Sequence, residues 1–188
     1  VGPWAATVLG FLGANVVRVE PPQGDRLHVQ VPLQKGESTT YIFCNLNKRN
    51  IKLDLKDPVE KGYLEQLVRE ADVVMDNQRA GNVAKLGFGY EDLVRLNPQI
   101  IHAACPGWGF EGPMSNLPAV DPLIQAYSGF AGINGSEPGA IRPMQYPYLD
   151  FNASCFFASG VMVALAAREK TGEKQQVTCT QLGSAIAL

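Results

Sequence analysis

The sequence predicts an α/β protein built on a parallel, doubly wound sheet. Three observations carry this. Short β-branched runs alternate with helical stretches along the whole chain, helix-start signals stand between the strands, and Gly/Pro loops follow strand ends. The 188 residues suit one domain or one and a half. A hydrophobic fraction of 46% against 18% charged supplies a sizeable core and excludes a disordered chain. A net charge of −2 and a pI near 5.7 argue against a general nucleic-acid binder or a binder of anionic membranes. Any anionic ligand must therefore be held by a local basic cluster.

The elements follow in order. Pro3 fits the first turn of a helix, where its missing N–H costs nothing, and the apolar run 4–12 continues that helix to a close at 13–15. Val16–Glu20 (VVRVE) is a β-branched strand stopped by Pro21 and Pro22, and 24–36 has the weak periodicity of a loop with a little helix. The polar turn 45–50 (NLNKRN) leads into 51–55 (IKLDL), which alternates as a half-buried strand. Asp57, Pro58, Val59 and Glu60 form a capping box with proline at the first helical position, and that helix extends to about Glu70. Residues 72–75 (DVVM) are the next strand, 77–81 a loop, and a helical stretch ends near Leu96 before Asn97 and Pro98. A strand at 99–104 runs into the Gly/Pro loop 105–113, and 119–127 reads as a helix. Residues 129–147 read mostly as loop. Asp150 precedes a long helix, 151–168, closed by Thr171 and Gly172, and 176–180 is the last strand before an apolar helical pattern at 181–188. The most apolar stretch, 151–167, contains Asn152, Ser154 and Ser159 and is short for a membrane span, so it reads as a buried helix.

Several site classes can be weighed on the residues alone. Cys44, Cys105, Cys155 and Cys179 are far apart without a CxxC pair, so a reducing cytoplasm fits better than a disulfide framework or a Cys-rich zinc site. His28 and His102 lie in no metal-ligand spacing, and no metal is expected. No signal-peptide pattern opens the chain. A start at Val1 inside a helix entry, and an apolar helical end without a stop signal, lead us to expect the N-terminal part of a longer protein. Glu20 ends a strand as the acid of a dinucleotide site would. Gly10 and Gly13, however, fall late in a helix, and G-x-G-x-x-G does not occur, so helix–strand packing is the better reading. Neither a nucleophile elbow, G-x-S-x-G, nor a phosphate loop is present.

Basic residues remain: Lys48, Arg49, Lys56, Arg79 and Lys85. Lys56 and Arg79 follow carboxyl ends of strands, where ligands of open α/β sheets bind, so the set is either a polyanion site or a solvated rim. Asp150 has two compatible readings. An Asp before an apolar helix is an N-cap, and the same position keeps a carboxylate ionised, as a carboxylate nucleophile requires. Trp108 and Phe110 suit either an acyl pocket or core packing, whereas Tyr146 and Tyr148 lie closer to Asp150 in sequence.

A set of collinear stretches resembles the class III CoA-transferases, the family that includes formyl-CoA transferases and carnitine CoA-transferases. The stretches are GP…LGFLGANVVRVEPPQGD, NLNKRNIKLDLKDPVEKGYLEQLVREADVVMDNQRAG, KLGFGYEDLVRLNPQIIHA, GWGFEGP, QAYSGF and LDFNASCFFASGVMVALAAREKTGEKQQV, and they cover nearly the whole chain. The resemblance implies that 1–188 is the Rossmann-like, CoA-binding large domain of a two-domain enzyme forming an interlocked homodimer. It implies Asp150 as nucleophile and an aspartyl-CoA thioester between an acyl-CoA donor and a small carboxylic acid acceptor, with no permanently bound cofactor. The family's CoA contacts map onto Leu53, Asp54, Lys56, Asn77, Gln78, Arg79 and Lys85.

Several positions depart from the family pattern. Pro21 stands where many members carry a basic residue against the adenine, and Lys85 replaces a more usual arginine, losing the planar fork suited to phosphate. Leu149 occupies a position where glycine is common, and NQRAG at 77–81 differs from the commoner NFRPG. The family's glycine-rich active-site loop would lie beyond Leu188. The 2-methylacyl-CoA racemases of the same superfamily carry a histidine directly before the Asp121 position. Here that residue is Val120, which leaves half of the acid–base pair missing and favours transfer. A non-catalytic CoA-binding chain is the reading from another class.

Overall fold

The computed structural model describes residues 1–134, 139 and 141–188. Helix α1 (Gly2–Phe11) opens with Pro3 in its first turn, and strand β1 (Val16–Glu20) follows with the bounds its β-branched run predicts. Strand β4 (Lys48–Lys52) pairs with β1 in parallel, from Val16 opposite Lys48 to Glu20 opposite Lys52. This strand begins earlier than the expected 51–55 segment. The ladder to β1 recruits Lys48, Arg49 and Asn50, whose polar side chains carry no strand period. Lys48 turns inward, and its Nζ donates to Pro3 O at 2.6 Å, Cys44 O at 2.8 Å and Asn45 Oδ1 at 2.9 Å. Burial, with Arg18 nearby, pushes its ammonium down to about 8.

The connection between β1 and β4 is more ordered than expected. Asp25 starts a 3₁₀ turn (Arg26–Val29), a small antiparallel hairpin joins β2 (Leu33–Gln34) to β3 (Glu37–Ser38), and the Ser38 hydroxyl caps α2 (Thr39–Cys44). Glu20, 1% exposed, ties this segment to the sheet. Its carboxylate accepts from Tyr41 Oη at 3.0 Å, meets His28 Nε2 at 3.1 Å and pairs with Arg18. Burial pushes the Glu20 carboxyl up, but the His28 and Tyr41 hydrogen bonds and the Arg18 charge together bring it below its ordinary value.

The second parallel sheet has the order β5 (Val73–Asp76), β6 (Ile101–Ala104), β7 (Gln175–Thr178). Helix α3 (Pro58–Glu70) starts as its sequence predicts, with Asp57 accepting from Val59 N at 2.7 Å and Glu60 N at 3.2 Å. The reciprocal half of the box does not form, because Glu60 Oε2 takes the N–H of Asp54 at 2.6 Å instead. The helical stretch before Leu96 divides into α4 (Asn82–Lys85) and α5 (Tyr90–Leu96), separated by Gly87 at φ +81°.

Helices cover both faces of this sheet. Val68, Phe88, Leu93 and Ile100 pack on one face with Val74, Leu55 and Val83. Ala5, Leu9, Ala103, Cys105, Ala153 and Phe157 pack on the other with Val73, Met75 and Val177. The doubly wound reading holds, with one correction. Among the described residues the parallel strands form a pair and a triplet rather than one continuous ladder, and α1 packs against both β1 and β5.

Helix α6 (Asp121–Tyr127) and the single turn α7 (Phe130–Ile133) lead to the 24-residue helix α8 (Tyr148–Thr171). The α7 turn replaces part of the expected loop 129–147, and 135–138 and 140 lie outside the described residues. By length and composition α8 suffices to cross a bilayer, contrary to the shorter stretch expected. Here its Ala153, Phe157, Ala158 and Val161 face packs on the sheet and α1. Phe157 is fully buried, a placement that contributes about 1.5–3 kcal/mol. Gly160 permits close approach, since a Cβ there would lie 2.8 Å from Val177 Cγ1. Gly172, at φ +71°, closes the helix, and α9 (Gln181–Ile186) follows β7 with Thr180 as its cap.

Candidate functional site

Asp150 stands inside α8, not before it. The helix begins at Tyr148 with Pro147 as its cap, so Asp150 is its third residue, and its side chain is not the N-cap expected from sequence. Tyr148 and Leu149 lack a polar start signal, whereas an Asp in the first turn imitates one. The cap role is met from elsewhere. Asp121 Oδ2 accepts the Asp150 N–H at 2.8 Å, so a buried carboxylate from α6 satisfies the start of α8. Asp121 is itself held by the Gln125 side-chain amide, whose Oε1 accepts from Met144 N at 2.7 Å.

The Asp150 carboxylate is thereby released for other work. Its side chain is 36% exposed, and Oδ1 accepts from Gln181 Nε2 at 2.8 Å. Burial raises the Asp150 carboxyl above its ordinary value, and the Asp121 charge adds to the rise. The group is a partly desolvated carboxylate with one fixed donor and an open side, which suits a nucleophile.

Gln181 and Asp121 were not foreseen as site residues. Gln181 is 4% exposed and sits at the start of α9, whose position depends on Gly107. The Gly107 carbonyl accepts from Leu182 N at 3.0 Å, and a Cβ on Gly107 would lie 2.0 Å from Ala119 Cβ. Only the fold brings these loops together, so no local pattern marks Gln181. Asp121, beside Pro122 at a helix start, reads in sequence as an ordinary first-turn acid.

The aromatic residues divide. Tyr146 stacks on Phe151 with ring centroids 5.0 Å apart, and Trp4 and Phe43 join that group next to Asp150. Tyr148 stacks on Phe130 at 5.6 Å and is partly exposed. Trp108 packs with Ile124, Leu149 and Ala185, and its ring meets Tyr127 edge-on. Phe110 is exposed on the loop after β6.

The remaining candidates follow the carboxyl ends of β4 and β5. Leu53 is 4% exposed and its N–H donates to Glu20 O at 2.8 Å. Asp54 Oδ1 accepts from Lys56 N at 3.0 Å and so shapes the turn that exposes Lys56. Asn77, Gln78, Arg79 and Lys85 are exposed, and Lys56, Arg79 and Lys85 make no ion pair among the described residues. Leu55 and Val83 pack on one core group, which ties the Lys56 turn to the α4 helix carrying Lys85.

Asn77 links this rim to Asp150. A Cβ on Gly2 would lie 2.9 Å from Asn77 Oδ1, so the loop after β5 touches the first turn of α1. Ser154 Oγ, one turn beyond Asp150, donates to Val1 O at 2.8 Å at the same helix end. Lys48, by contrast, is spent on internal carbonyls, and Arg49 donates to Asn15 Oδ1 at 2.9 Å.

The chain is 35% identical over 188 residues to an acetyl-CoA:oxalate CoA-transferase of Acetobacter aceti, covering 99% of this chain and 48% of that protein. It is 34% identical over 189 residues to a succinyl-CoA:glutarate CoA-transferase of Homo sapiens, covering 99% of this chain and 43% of that one. The crystal structure of a CAIB/BAIF family protein from Brucella suis superposes with a TM-score of 0.93 at 28% identity, over 99% of this chain and 50% of that one. The chain thus spans about half the length of the relatives it matches. The family described as CoA-transferase family III matches residues 1–188 from end to end, and the chain belongs to it.

Proposed function

We propose that this chain carries the nucleophile and the CoA-binding rim of an enzyme that moves CoA from an acyl-CoA donor to a small carboxylic acid. The observation that carries the reading is the Asp150 carboxylate, partly desolvated, held by Gln181 on one oxygen and relieved of capping by Asp121.

An Asp150 oxygen adds to the thioester carbonyl of the donor, and the C–S bond breaks to give a mixed anhydride and CoA thiolate. The thiolate attacks the Asp150 Cγ and expels the donor acid as its carboxylate, leaving an aspartyl-CoA thioester. The acceptor carboxylate then attacks Cγ, thiolate leaves again, and its attack on the acceptor's acyl carbon yields the new acyl-CoA and free Asp150. Each step exchanges one acyl bond for another, so no net proton transfer is required. Gln181 Nε2, donating to the carboxylate at 2.8 Å, keeps its plane fixed for the first attack.

Lys56, Arg79 and Lys85 supply cations for the phosphates of CoA, with Asn77, Gln78, Asp54 and the Leu53 carbonyl as polar contacts. The two named relatives take dicarboxylic acids, so oxalate and glutarate are the first acceptors to assay. The reading includes an interlocked homodimer of the complete protein and a cytoplasmic setting, the latter supported by four free cysteines.

The test is to incubate the complete protein with acyl-CoA and a carboxylic acid in deuterated water. Transfer of CoA without exchange at the α-carbon is expected. Exchange without transfer would assign the chain to racemisation and overturn the reading.

A further inference from the structure

His102 and Asp76 form a buried pair that the transfer chemistry does not use. His102 lies on β6 opposite Val74, and its side chain shares the α3/α5 face of the sheet with Val74 and Asp76. The side chain is 6% exposed, and Nε2 meets Asp76 Oδ2 at 3.0 Å. Facing a carboxylate oxygen, Nε2 carries a proton and donates. Nδ1 is buried without a hydrogen-bond partner among the described residues, so a single interaction fixes the ring's polar edge. Its flat side rests on Tyr90, with centroids 6.3 Å apart and planes at 19°.

Asp76 faces two ways. It is the last residue of β5, and while Oδ2 takes the imidazole, Oδ1 accepts the main-chain N–H of Gln78 at 3.0 Å. That second bond closes the turn that presents Asn77, Gln78 and Arg79 at the edge of the sheet. A carboxylate at a strand end, 15% exposed, has more than one rotamer open to it unless its second oxygen is anchored.

We infer that His102 is a positioning residue for the acyl-CoA site. It locks the Asp76 rotamer from inside the sheet, and Asp76 in turn sets the turn that holds Asn77, Gln78 and Arg79. The inference rests on the reading of that turn as part of the CoA site.

Three variants in the complete protein test it. His102→Phe keeps the ring against Tyr90 but removes the donor. His102→Gln places an amide N–H where Nε2 stood. Arg79→Ala tests the CoA reading by itself. In His102→Phe, amide hydrogen exchange at Gln78 should accelerate, and Kd for CoA and KM for acyl-CoA should rise about tenfold, in line with one lost hydrogen bond to a charged group. Its kcat at saturation should hold within about twofold, because Asp150 lies on another element. His102→Gln should restore both Gln78 protection and affinity. Unchanged exchange at Gln78 in folded His102→Phe, or unchanged CoA affinity with the turn loosened, would overturn the inference. Equal losses in His102→Phe and His102→Gln would also overturn it, by showing that packing alone matters. If Arg79→Ala leaves CoA affinity intact, the rim reading loses Arg79, while the His102 result still stands or falls on its own measurements.

Discussion

At the scale of single residues, the carboxylate proposed as nucleophile sits where burial disfavours its charge. Burial raises the Asp150 carboxyl, so the fold favours its protonated form. For a group with a raised folded value, the contribution to stability is fully present below the unfolded value and is lost as pH rises through the folded one. Ionised Asp150 at neutral pH therefore works against stability. Asp150→Asn should abolish transfer, by at least about a thousandfold in kcat, while its Tm at neutral pH rises relative to wild type. Calorimetry and a steady-state assay on the same preparation check both halves. The same shift predicts that the acid limb of the kcat/KM profile for the donor lies above Asp150's ordinary value of 3.8. A limb at or below that value would contradict the burial argument.

Sequence made Asp150 visible, but it misassigned the residue's structural role. An Asp ahead of an apolar run has the composition of a helix start, and Pro147, the true cap, carries no side-chain acceptor. Asp121 and Gln181 were illegible as site residues, because their roles arise from contacts spanning 29 and 31 positions. Lys56 and Arg79 were placed after strand ends by pattern, and their exposure fits that placement, whereas Leu53 came only from the family resemblance. Lys48 shows the limit of such counting. A lysine in a basic run can turn inward when carbonyls are waiting for it.

At the scale of elements, two junctions position the site. The first is the loop after β6, which holds α9 through the Gly107 carbonyl and has no room for a Cβ at Gly107 because Ala119 stands against it. Gly107→Ala should shift α9 and its Gln181, costing about 1–3 kcal/mol in unfolding free energy through overpacking. It should lower kcat more than a surface change of equal destabilisation would. Denaturant titration beside a transfer assay measures this, and a stable variant with normal kcat would refute the junction's role. The second junction is the start of α3, where Asp57 caps two N–H groups. Asp57→Ala should cost about 1 kcal/mol in denaturant unfolding.

Elements with strong local signals were legible: β1, the start of α3 and the close of α8 at Gly172 match their residues. Elements made by pairing were not. The Lys48–Asn50 half of β4 and the hairpin of β2 with β3 depend on partner strands, and α2 shows only a Ser38 cap before β-branched threonines.

At the scale of the whole molecule, the proposed CoA site requires a slightly acidic chain to hold a polyanion with a few exposed cations. The exposed Lys56 and Arg79 follow strands β4 and β5 and Lys85 ends α4, while Lys48 is spent on internal carbonyls and Arg49 on Asn15. Binding of CoA should therefore weaken with ionic strength, and Lys56→Ala with Arg79→Ala together should flatten that dependence. Isothermal titration between low and physiological salt reads the slope for each variant. An unchanged slope in the double variant would move the phosphate site elsewhere. The doubly wound layout was legible because helix and strand signals alternate along the chain. The division into a strand pair and a three-stranded sheet was not, since both arrangements bury the same apolar periodicity.

The central claim is that Asp150 forms a covalent bond to the donor's acyl group and then to CoA. Incubating the complete protein with acyl-CoA alone, quenching with hydroxylamine and mapping peptides by mass spectrometry tests it most directly. A hydroxamate on Asp150 is expected in wild type and none in Asp150→Asn. An unmodified Asp150 in protein that binds acyl-CoA and completes CoA transfer would contradict the account.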